Sequence, residues 1–253
     1  MEPCNPRRNR VLAGLPDAEW QHWEPRLEQV DLPLGKVIYE AGTQRTHVYF
    51  PSDAIISILH LLDNGSSAEI AVVGFEGLLG ICTVMGGDAT PSRAVVQSAG
   101  TGYRMPAHAF RDTFERSVPV RELILRYTQA LIAQMSQTAV CNRHHSLEKQ
   151  LCRWLLLSLD RLPGNELVMT QELIANMLGV RREGVTEAAL KLQAAGLIHY
   201  ARGHIWVLDR PRLELRTCEC YQVVKAEYDR LLPKGIALPS DVHTLPASPS
   251  CVR

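Results

Sequence analysis

The chain has 253 residues, of which 46% are hydrophobic, and its 27 basic and 27 acidic side chains give a formal net charge of zero. The length suits two domains, and the apolar content is sufficient for packed cores. A neutral chain is still compatible with nucleic-acid binding, because the basic residues of such proteins are often concentrated in one patch. No apolar run approaches the roughly 20 residues of a membrane-spanning helix, and residues 1–10 lack the apolar core of a signal peptide.

The cysteines are odd in number and scattered along the chain: Cys4, Cys82, Cys141, Cys152, Cys218, Cys220 and Cys251. Such spacing predicts no disulfide framework and suits a reducing compartment. We therefore expect a cytoplasmic protein with no membrane partner.

The first half of the chain predicts a polar tail followed by a β-rich domain. Residues 1–10 are polar and contain prolines, which indicates a disordered tail, and residues 11–32 predict one or two short helices. Residues 33–81 are rich in β-branched side chains and are interrupted by glycine and aspartate, a pattern typical of a sandwich or barrel. The Asp-Asn-Gly sequence at 63–65 predicts a hairpin turn. We assign residues 11–116 to this domain.

Residues 113–167 predict helix almost throughout, and Pro119 can begin the longest one. Apolar and small side chains recur at close to heptad spacing, which is typical of a coiled-coil seam. The positions of this seam are Leu123, Tyr127, Leu131, Met135 and Thr138. The same stripe could instead pack against the chain's own barrel. The polar NRHH sequence at 142–145 predicts a hinge, so that residues 117–145 form a dimerisation helix and hinge.

Residues 170–196 predict two helices joined by a tight turn, because apolar positions recur at spacings of three and four. Thr170 can cap the first helix, and Gly179 can adopt the left-handed conformation of a helix end. Two short apolar runs around Gly203 follow and predict a β-hairpin. Helix, turn, helix and hairpin together indicate a winged helix-turn-helix, whose second helix presents its first residues to the major groove. An ordinary helical hairpin with a solvated charged face is the alternative. A last helix begins at Pro211 and completes a domain at 146–232, and the proline- and serine-rich residues 233–253 predict a disordered tail.

The string TQELIANMLGVRREGVTEAALKLQAAGLI, from Thr170 to Ile198, resembles the DNA-binding domain of the Crp/Fnr family of bacterial transcription regulators. The resemblance extends over most of the chain. It implies an α+β fold with an N-terminal jelly-roll barrel, a long dimerisation helix and a C-terminal winged helix-turn-helix. In this family the long helix both packs on the barrel and dimerises, so we expect a parallel homodimer through residues 120–141 that reads a two-fold operator. The implied partners are double-stranded DNA, a second copy of the chain, RNA polymerase and an unknown small-molecule or redox signal.

The family register also implies which residues contact DNA. Arg182 and Glu183 stand where family members touch base edges, and Thr186 and Glu187 occupy the next reading positions. Arginine can bind guanine O6 and N7, and glutamate can accept a hydrogen bond from cytosine N4. Several members carry arginine where this chain has Glu187, so we do not expect the operator of the cyclic-AMP receptor protein. The expected phosphate contacts are Thr170, Gln171, Arg181, Lys191 and Arg202.

The GFEGLLG sequence at 74–80 falls where the family's barrel places its phosphate-binding cassette. Members that bind a nucleotide carry a glutamate after the cassette glycine and an arginine at the start of the next strand, because a buried anion needs charged donors. In this chain the family register places that arginine position near Thr90 and Pro91. Leu78 follows Gly77, and Arg93 is close to the arginine position but offset from it. These three residues are the candidate effector site. A cyclic nucleotide is not the expected ligand. The hypotheses that remain are another ligand, a nucleotide bound by a rearranged Arg93, or no ligand.

Cys218 and Cys220 form a Cys-x-Cys pair that could bind a metal or sense oxidation. A metal site requires about four ligands, and the additional candidates, His199, His204 and Cys152, stand at no recognised spacing. We therefore predict no metal and no other cofactor. A redox switch through the pair remains an alternative.

Some family members bind an iron–sulfur cluster through several N-terminal cysteines. The N-terminal region of this chain has only Cys4, so we expect no iron–sulfur cluster. His144 and His145, in the hinge, are expected to be exposed. We find no glycine-rich phosphate loop, nucleophile elbow or HExxH motif, and Glu69 and Glu76 are not a defensible catalytic pair. We therefore expect that the protein is not an enzyme. The competing hypothesis is a module that binds protein partners and carries a vestigial winged helix.

Overall fold

The computed structural model describes residues 5–233. The first half of this part forms antiparallel strands: β1 (Glu28–Leu32), β2 (Val37–Tyr39), β3 (His47–Pro51), β4 (Ile55–Leu61), β5 (Ser67–Val73), β6 (Ser92–Ser98) and β7 (Gly100–Pro106). They make a three-stranded sheet in the order β1-β7-β3 and a four-stranded sheet in the order β2-β6-β4-β5. The predicted turn at 63–65 joins β4 to β5, and its Gly65 has a φ of 82°. The β-rich domain predicted from the alternation of β-branched residues and turn residues is confirmed.

Side chains of both sheets share one hydrophobic core. Trp23, Phe50 and Phe110 meet there, with ring centroids 5.6–6.5 Å apart. Trp23 comes from α2 (Asp17–Trp23), which follows α1 (Arg10–Ala13). The short helices predicted before the first strand therefore close one side of the barrel core.

The N-terminal residues that the structure describes are folded, which corrects the predicted tail at 1–10 in this part. Pro6–Arg8 form a short 3-10 helix, and Asn9 and Arg10 are buried. The Asn9 amide donates hydrogen bonds to backbone carbonyls of the barrel, at 2.7 Å in the case of Gly77. The polar side chains of this segment predicted disorder. Asn9 and Arg10 can nevertheless be buried, because they form hydrogen bonds with backbone carbonyls. Residues 1–4, and the predicted C-terminal tail after Pro233, lie outside the described residues.

A helix of 27 residues, α4 (Val118–His144), follows α3 (Ala107–Arg116). Pro119 lies in its first turn, as predicted. The helix ends in the polar NRHH sequence, where His145 is extended with φ −106° and ψ 152°. A new helix, α5 (Leu147–Leu159), begins directly after this break.

The face of α4 that we predicted as the dimer seam packs inside the chain. Four of the five positions are at most 8% exposed: Leu123, Tyr127, Leu131 and Thr138. The fifth, Met135, is 37% exposed. The Tyr127 hydroxyl donates a hydrogen bond of 2.7 Å to the carbonyl of Leu78 in the barrel, and a C-terminal helix, α9 (Glu219–Leu231), packs along α4. The helix carries apolar residues on more than one face, and heptad spacing alone does not distinguish the buried face from the exposed one.

The two helices predicted at 170–196 are α6 (Gln171–Leu178) and α7 (Arg182–Ala194). The Thr170 hydroxyl accepts a hydrogen bond from the backbone N–H of Leu173 at 3.3 Å and so caps α6. Gly179 ends that helix in the left-handed conformation, with φ 66°. The helix-turn-helix therefore forms through the local signals by which the sequence predicted it.

The wing is a hairpin of β9 (Ile198–Ala201) and β10 (His204–Val207). Its turn consists of Arg202 and Gly203, with φ of 52° and 84°. A further strand, β8 (Glu166–Val168), pairs with β10 and gives the order β8-β10-β9. The three residues of β8 are too few for a sequence pattern, so this strand was not predicted.

The last helix predicted from Pro211 is divided into α8 (Arg210–Arg216) and α9 at Thr217. Leu215 is 87% exposed and does not join the packed face expected of it, whereas Tyr221 and Tyr228 do. Among the helices of residues 5–233, none combines the length and the apolarity that crossing a membrane requires.

Candidate DNA-binding surface and sensor cavity

The first turn of α7 presents charged side chains to solvent. Arg181 is the N-cap residue, with no side-chain hydrogen bond to the helix, and it is followed by Arg182 and Glu183, which are also exposed. On the opposite face Val185 and Leu192 are fully buried, which fixes the orientation of the helix. The free backbone N–H groups at a helix N-terminus favour a nearby anion. The start of α7 is therefore suited to contact with a phosphate backbone or with base edges.

A cleft of about 470 Å³ lies between the starts of α6 and α7 and the wing. It brings together four of the predicted DNA-binding residues: Thr170, Gln171, Arg182 and Arg202. Within the part of the chain that the structure describes, neither guanidinium of this cleft has a carboxylate partner. The two cations are thus available to an external anion.

Three other predicted DNA-contacting residues, Thr186, Glu187 and Lys191, form side-chain interactions within the chain itself. The Thr186 hydroxyl lies 2.7 Å from Oε1 of Gln171 and links the two helices of the motif. Nζ of Lys191 pairs with Glu187 at 2.7 Å. The hydrogen bond between them raises the pKa of Lys191 and lowers the pKa of Glu187. To contact a phosphate, Lys191 must first give up its ion pair with Glu187. Arg182 has no such ion pair among the described residues and can contact a phosphate directly.

We expect Arg182→Ala to weaken operator binding by about 1–3 kcal/mol and to remove the sequence preference at the single base pair that Arg182 contacts. The reason is that arginine recognises guanine through two hydrogen bonds. Binding to a set of operator variants, each changed at one base pair, measures this effect. Arg230→Ala is the matched control, since Arg230 is exposed on α9 and pairs with Glu227 at 2.7 Å. An equal loss on every operator variant would show that Arg182 contacts phosphate alone.

The turn of the helix-turn-helix rests on the β4–β5 hairpin of the barrel. The Ser67 hydroxyl donates a hydrogen bond of 3.3 Å to the carbonyl of Asn176. A side chain at Gly179 would lie 3.2 Å from Ala68. Arg181 lines the cleft of about 400 Å³ between the two elements. The position of Arg181 therefore depends on how the DNA-binding domain sits on the barrel, a dependence that the sequence did not reveal.

Two further contacts join the domains through buried carboxylates. Glu76, in the cassette segment, pairs with Arg161 at the end of α5 at 2.8 Å, and both side chains are at most 6% exposed. Glu69, on β5, accepts hydrogen bonds from Ser57 at 2.5 Å and from the Trp154 indole at 3.1 Å. Burial raises the pKa of Glu69 to about 7, despite these hydrogen bonds. Neither carboxylate was predicted to couple the domains, because the partners come from distant parts of the chain.

An apolar cavity of about 300 Å³ lies in the barrel beside α4. Leu78 and the positions Thr90 and Pro91, where the family's arginine would fall, contribute to its wall, together with Ile132 and Met135 of α4. Among its described lining residues there is no lysine or arginine. A phosphate group would find no strong cation here.

The other two candidate effector residues lie elsewhere. Nε of Arg93 is 3.2 Å from Oε2 of Glu40, and its side chain does not line the cavity. A side chain at Gly77 would come within 2.4 Å of the Tyr127 ring, so glycine is required there by packing. The structure thus brings Leu78 alone, of the three, to the cavity.

Comparisons with known proteins agree with this architecture. A model of the cyclic nucleotide-binding domain matches residues 29–117, and a model of the Crp-like helix-turn-helix domain matches residues 149–216. No curated protein sequence matches the chain.

Several solved structures share the fold. A chain from Eubacterium rectale, described as a regulator of the Crp/Fnr family, is 20% identical over 84% of this chain and 97% of its own, with a TM-score of 0.65. FixK2 of Bradyrhizobium japonicum is 16% identical over 76% of this chain and 98% of its own, with a TM-score of 0.63. The regulator CLP of Xanthomonas campestris is 15% identical over 77% of this chain and 100% of its own, with a TM-score of 0.60. The two domain models together match more than half of the residues, and the chain belongs to the Crp/Fnr family of transcription regulators.

Proposed function

We propose that this regulator acts in the cytoplasm as a homodimer that binds a two-fold operator, that its barrel controls this binding, and that it catalyses no reaction. The observation that carries the proposal is the cleft at the start of α7, where Arg182 and Arg202 face solvent without a carboxylate partner in the described chain. Two cations that flank a helix N-terminus suit the phosphate backbone of duplex DNA. From such an operator a regulator acts on RNA polymerase, which we include among the partners.

The exposed face of α4 supports the dimer. Val118, Leu125 and Ile132 follow one another at intervals of seven and are 52–54% exposed. Met135 and Val140 extend the stripe, at 37% and 47%. Exposed apolar residues at heptad spacing favour a parallel coiled coil between two copies. A two-fold axis along α4 would present two α7 helices to two half-sites of DNA.

We expect Ile132→Glu to convert the dimer to a monomer and to lower operator affinity by more than 100-fold, because one α7 would then bind one half-site. Light scattering gives the mass in solution, and a fluorescence titration gives the affinity. The matched control is Leu215→Glu, which places the same charge at an apolar residue that is 87% exposed on α8. A variant that stays dimeric would exclude this face of α4 as the interface.

The chemistry of the cavity favours an apolar effector over a cyclic nucleotide, because its wall offers apolar side chains and no described lysine or arginine. The regulator CLP is described as responsive to c-di-GMP, so cyclic AMP is not the effector of every protein with this fold. Contact of Ile132 and Met135 with the cavity supplies a route by which a ligand would bias the dimer helix.

Selection of bound duplexes from a random DNA pool tests the proposal, with and without cyclic AMP. A two-fold motif recovered without nucleotide is the expected result. Recovery that depends on cyclic AMP would contradict our interpretation of the cavity. Salt-independent binding would instead favour a module that acts through protein partners, since phosphate contacts make affinity fall steeply with salt. No enrichment in either sample would mean that the true effector is missing or that the winged helix does not read DNA.

A further inference from the structure

Three cysteines and a histidine meet where the end of α4 faces the start of α9. Cys141 lies in the last turn of α4, and His145 caps that helix four residues later. Cys218 is the N-cap residue of α9, and Cys220 lies in its first turn. The sulfur and imidazole nitrogen atoms all lie within 4.8 Å of one another. We call these four residues the Cys3His cluster.

The separations within the Cys3His cluster suit a single tetrahedral ion. The sulfurs of Cys141 and Cys218 are 3.6 Å apart, and the Cys220 sulfur is 3.6 Å from Nδ1 of His145. Zinc bonds of about 2.3 Å to sulfur and about 2.0–2.1 Å to nitrogen imply tetrahedron edges of about 3.8 Å and about 3.6 Å. No separation within the cluster exceeds 4.8 Å, so a shortening of at most about 1 Å is needed, which side-chain rotation provides. An iron–sulfur cluster would distribute its ligands over several iron ions, whereas this set surrounds one position.

The surroundings of the ligands are those of a protected site. The three cysteines are at most 3% exposed and pack together apart from the main hydrophobic core. Nδ1 of His145 faces the cluster, while its Nε2 lies 3.4 Å from the carboxylate of Glu219. A histidine that binds a metal through one nitrogen commonly donates the other N–H to a carboxylate, which fixes the ring. Glu219 is placed to fix the ring of His145 in this way.

A buried cation balances the charge of such a site. Three thiolates, a neutral imidazole and a divalent ion have a net charge of −1. The Arg153 guanidinium interacts electrostatically with Cys141 and Cys220 and is 4% exposed. Its Nη1 donates a hydrogen bond to Thr138 at 3.2 Å, and its Nε has no hydrogen-bond partner among the residues described. The charge of Arg153 acts on Glu69 as well as on Cys141 and Cys220, but no described carboxylate lies within ion-pair distance of it.

We propose that the Cys3His cluster binds one Zn²⁺ ion. Thiolate and imidazole ligands select zinc over the harder cations magnesium and calcium, and a set of four protein ligands closes the coordination shell, as in a structural site. The ion fastens the start of α9 to the end of α4, directly beside the hinge that leads into the DNA-binding domain. Metal binding then fixes the direction in which the chain leaves the dimer helix, and loss of the metal frees it.

The additional ligands considered from the sequence lie elsewhere. His199 and His204 stack on Trp206 in the wing, each at a centroid distance of 5.4 Å, and Cys152 is buried in α5. The residues that complete the set come from the end of α4. No short spacing connects them to Cys218, because the fold alone brings the two segments together.

Metal content of the purified full chain is the first test. Protein prepared under reducing conditions without added metal chelator is expected to contain one zinc per chain by elemental analysis. Replacement of zinc by Co²⁺ should give the intense visible bands of a tetrahedral site with thiolate ligands. Removal of the metal with a strong chelator should lower the unfolding temperature, and this measurement requires no substitution that could prevent folding.

Substitutions identify the ligands. Cys218→Ser and His145→Ala should each abolish stoichiometric zinc, whereas the matched controls Cys152→Ser and His144→Ala should retain it. Glu219→Gln should weaken zinc binding about 10–100-fold without changing the Co²⁺ spectrum, since it orients a ligand and is not one. Circular dichroism verifies that each variant is folded.

Four outcomes would overturn the proposal. The first is metal-free protein that gives no cobalt spectrum. The second is iron with acid-labile sulfide, which would identify a cluster. The third is a Cys141–Cys218 disulfide in protein that never takes up zinc, which would identify a redox pair. Retention of zinc by Cys218→Ser would place the metal elsewhere in the chain.

Discussion

Arg161→Ala will lower the free energy of unfolding by about 3–5 kcal/mol, because removal of one partner leaves the other charge buried and unpaired. Arg161 donates a hydrogen bond of 2.8 Å to Glu76, whose side chain is 6% exposed. One oxygen of that carboxylate, Oε2, already has no hydrogen-bond partner among the described residues. Denaturant titration, with the midpoint and slope fitted separately, measures the loss.

A double variant shows what the pair itself contributes. Arg161→Met combined with Glu76→Leu replaces both charges by apolar side chains, and such replacements of buried ion pairs are often neutral or stabilising. We therefore expect the double variant to recover most of the stability lost in Arg161→Ala. Arg230→Ala, which breaks the solvent-screened pair with Glu227, should leave the stability nearly unchanged. An Arg161→Ala protein as stable as this control would show that the pair is solvated in solution.

The same substitutions test how the barrel communicates with the DNA-binding domain. Glu76 belongs to the cassette segment and Arg161 follows α5, so the ion pair holds the two domains in one arrangement. If the barrel acts by shifting a population of arrangements, the double variant should bind DNA with an altered affinity even though its stability is recovered. An unchanged affinity would indicate that this contact supports the fold and takes no part in regulation.

The contribution of Glu69 to the free energy of unfolding of the wild-type protein should fall by about 3 kcal/mol as the pH rises from about 4.5 to about 7. Burial raises the pKa of this carboxyl from 4.5 to about 7 in the folded protein. Below the pKa of the unfolded chain both states hold the proton, and the stability is fully present. Between the two pKa values the unfolded chain ionises while the folded protein keeps the proton, so the stability falls until the pH passes the folded pKa, where it has been lost.

The difference between the wild type and Glu69→Gln isolates this effect. The glutamine retains an acceptor for the Trp154 indole and does not ionise, so its advantage over the wild type should grow with pH and level off above about pH 7. Ser57 donates to the carboxylate, and the charges of Arg153 and Arg161 act on it. Glu28→Gln serves as a control, because Glu28 pairs with Arg104 on the barrel surface. A constant difference between pH 5 and pH 8 would show that Glu69 is hydrated or already ionised in the folded protein.

Local signals allowed much of the DNA-binding domain to be predicted from the residues. Thr170 caps α6 and Gly179 ends it, and each acts on backbone groups within one helical turn. The wing turn at Arg202 and Gly203 forms through the conformations of two adjacent residues. Arg182 was assigned through the family resemblance, and the structure places it in the cleft beside Arg202. The helix cap, the helix end and the wing turn need no knowledge of the rest of the chain, because the interactions that form them span at most a few residues. The position of Arg182 beside Arg202 depends in addition on how the wing packs on the two helices.

The features that only the tertiary structure decided depend on contacts between distant segments. Heptad spacing predicted an apolar seam on α4, but packing of the barrel and α9 on one face covered Leu123 and Tyr127 and left Leu125 and Ile132 exposed. A heptad repeat looks the same on every face of a helix, so the sequence alone could not show which apolar face of α4 is buried and which is exposed. The meeting of His145 with Cys220 likewise has no signature in the spacing of those residues. The sequence determined the local elements and the family, and the tertiary packing determined which surfaces remain free to bind a partner, an effector or a metal.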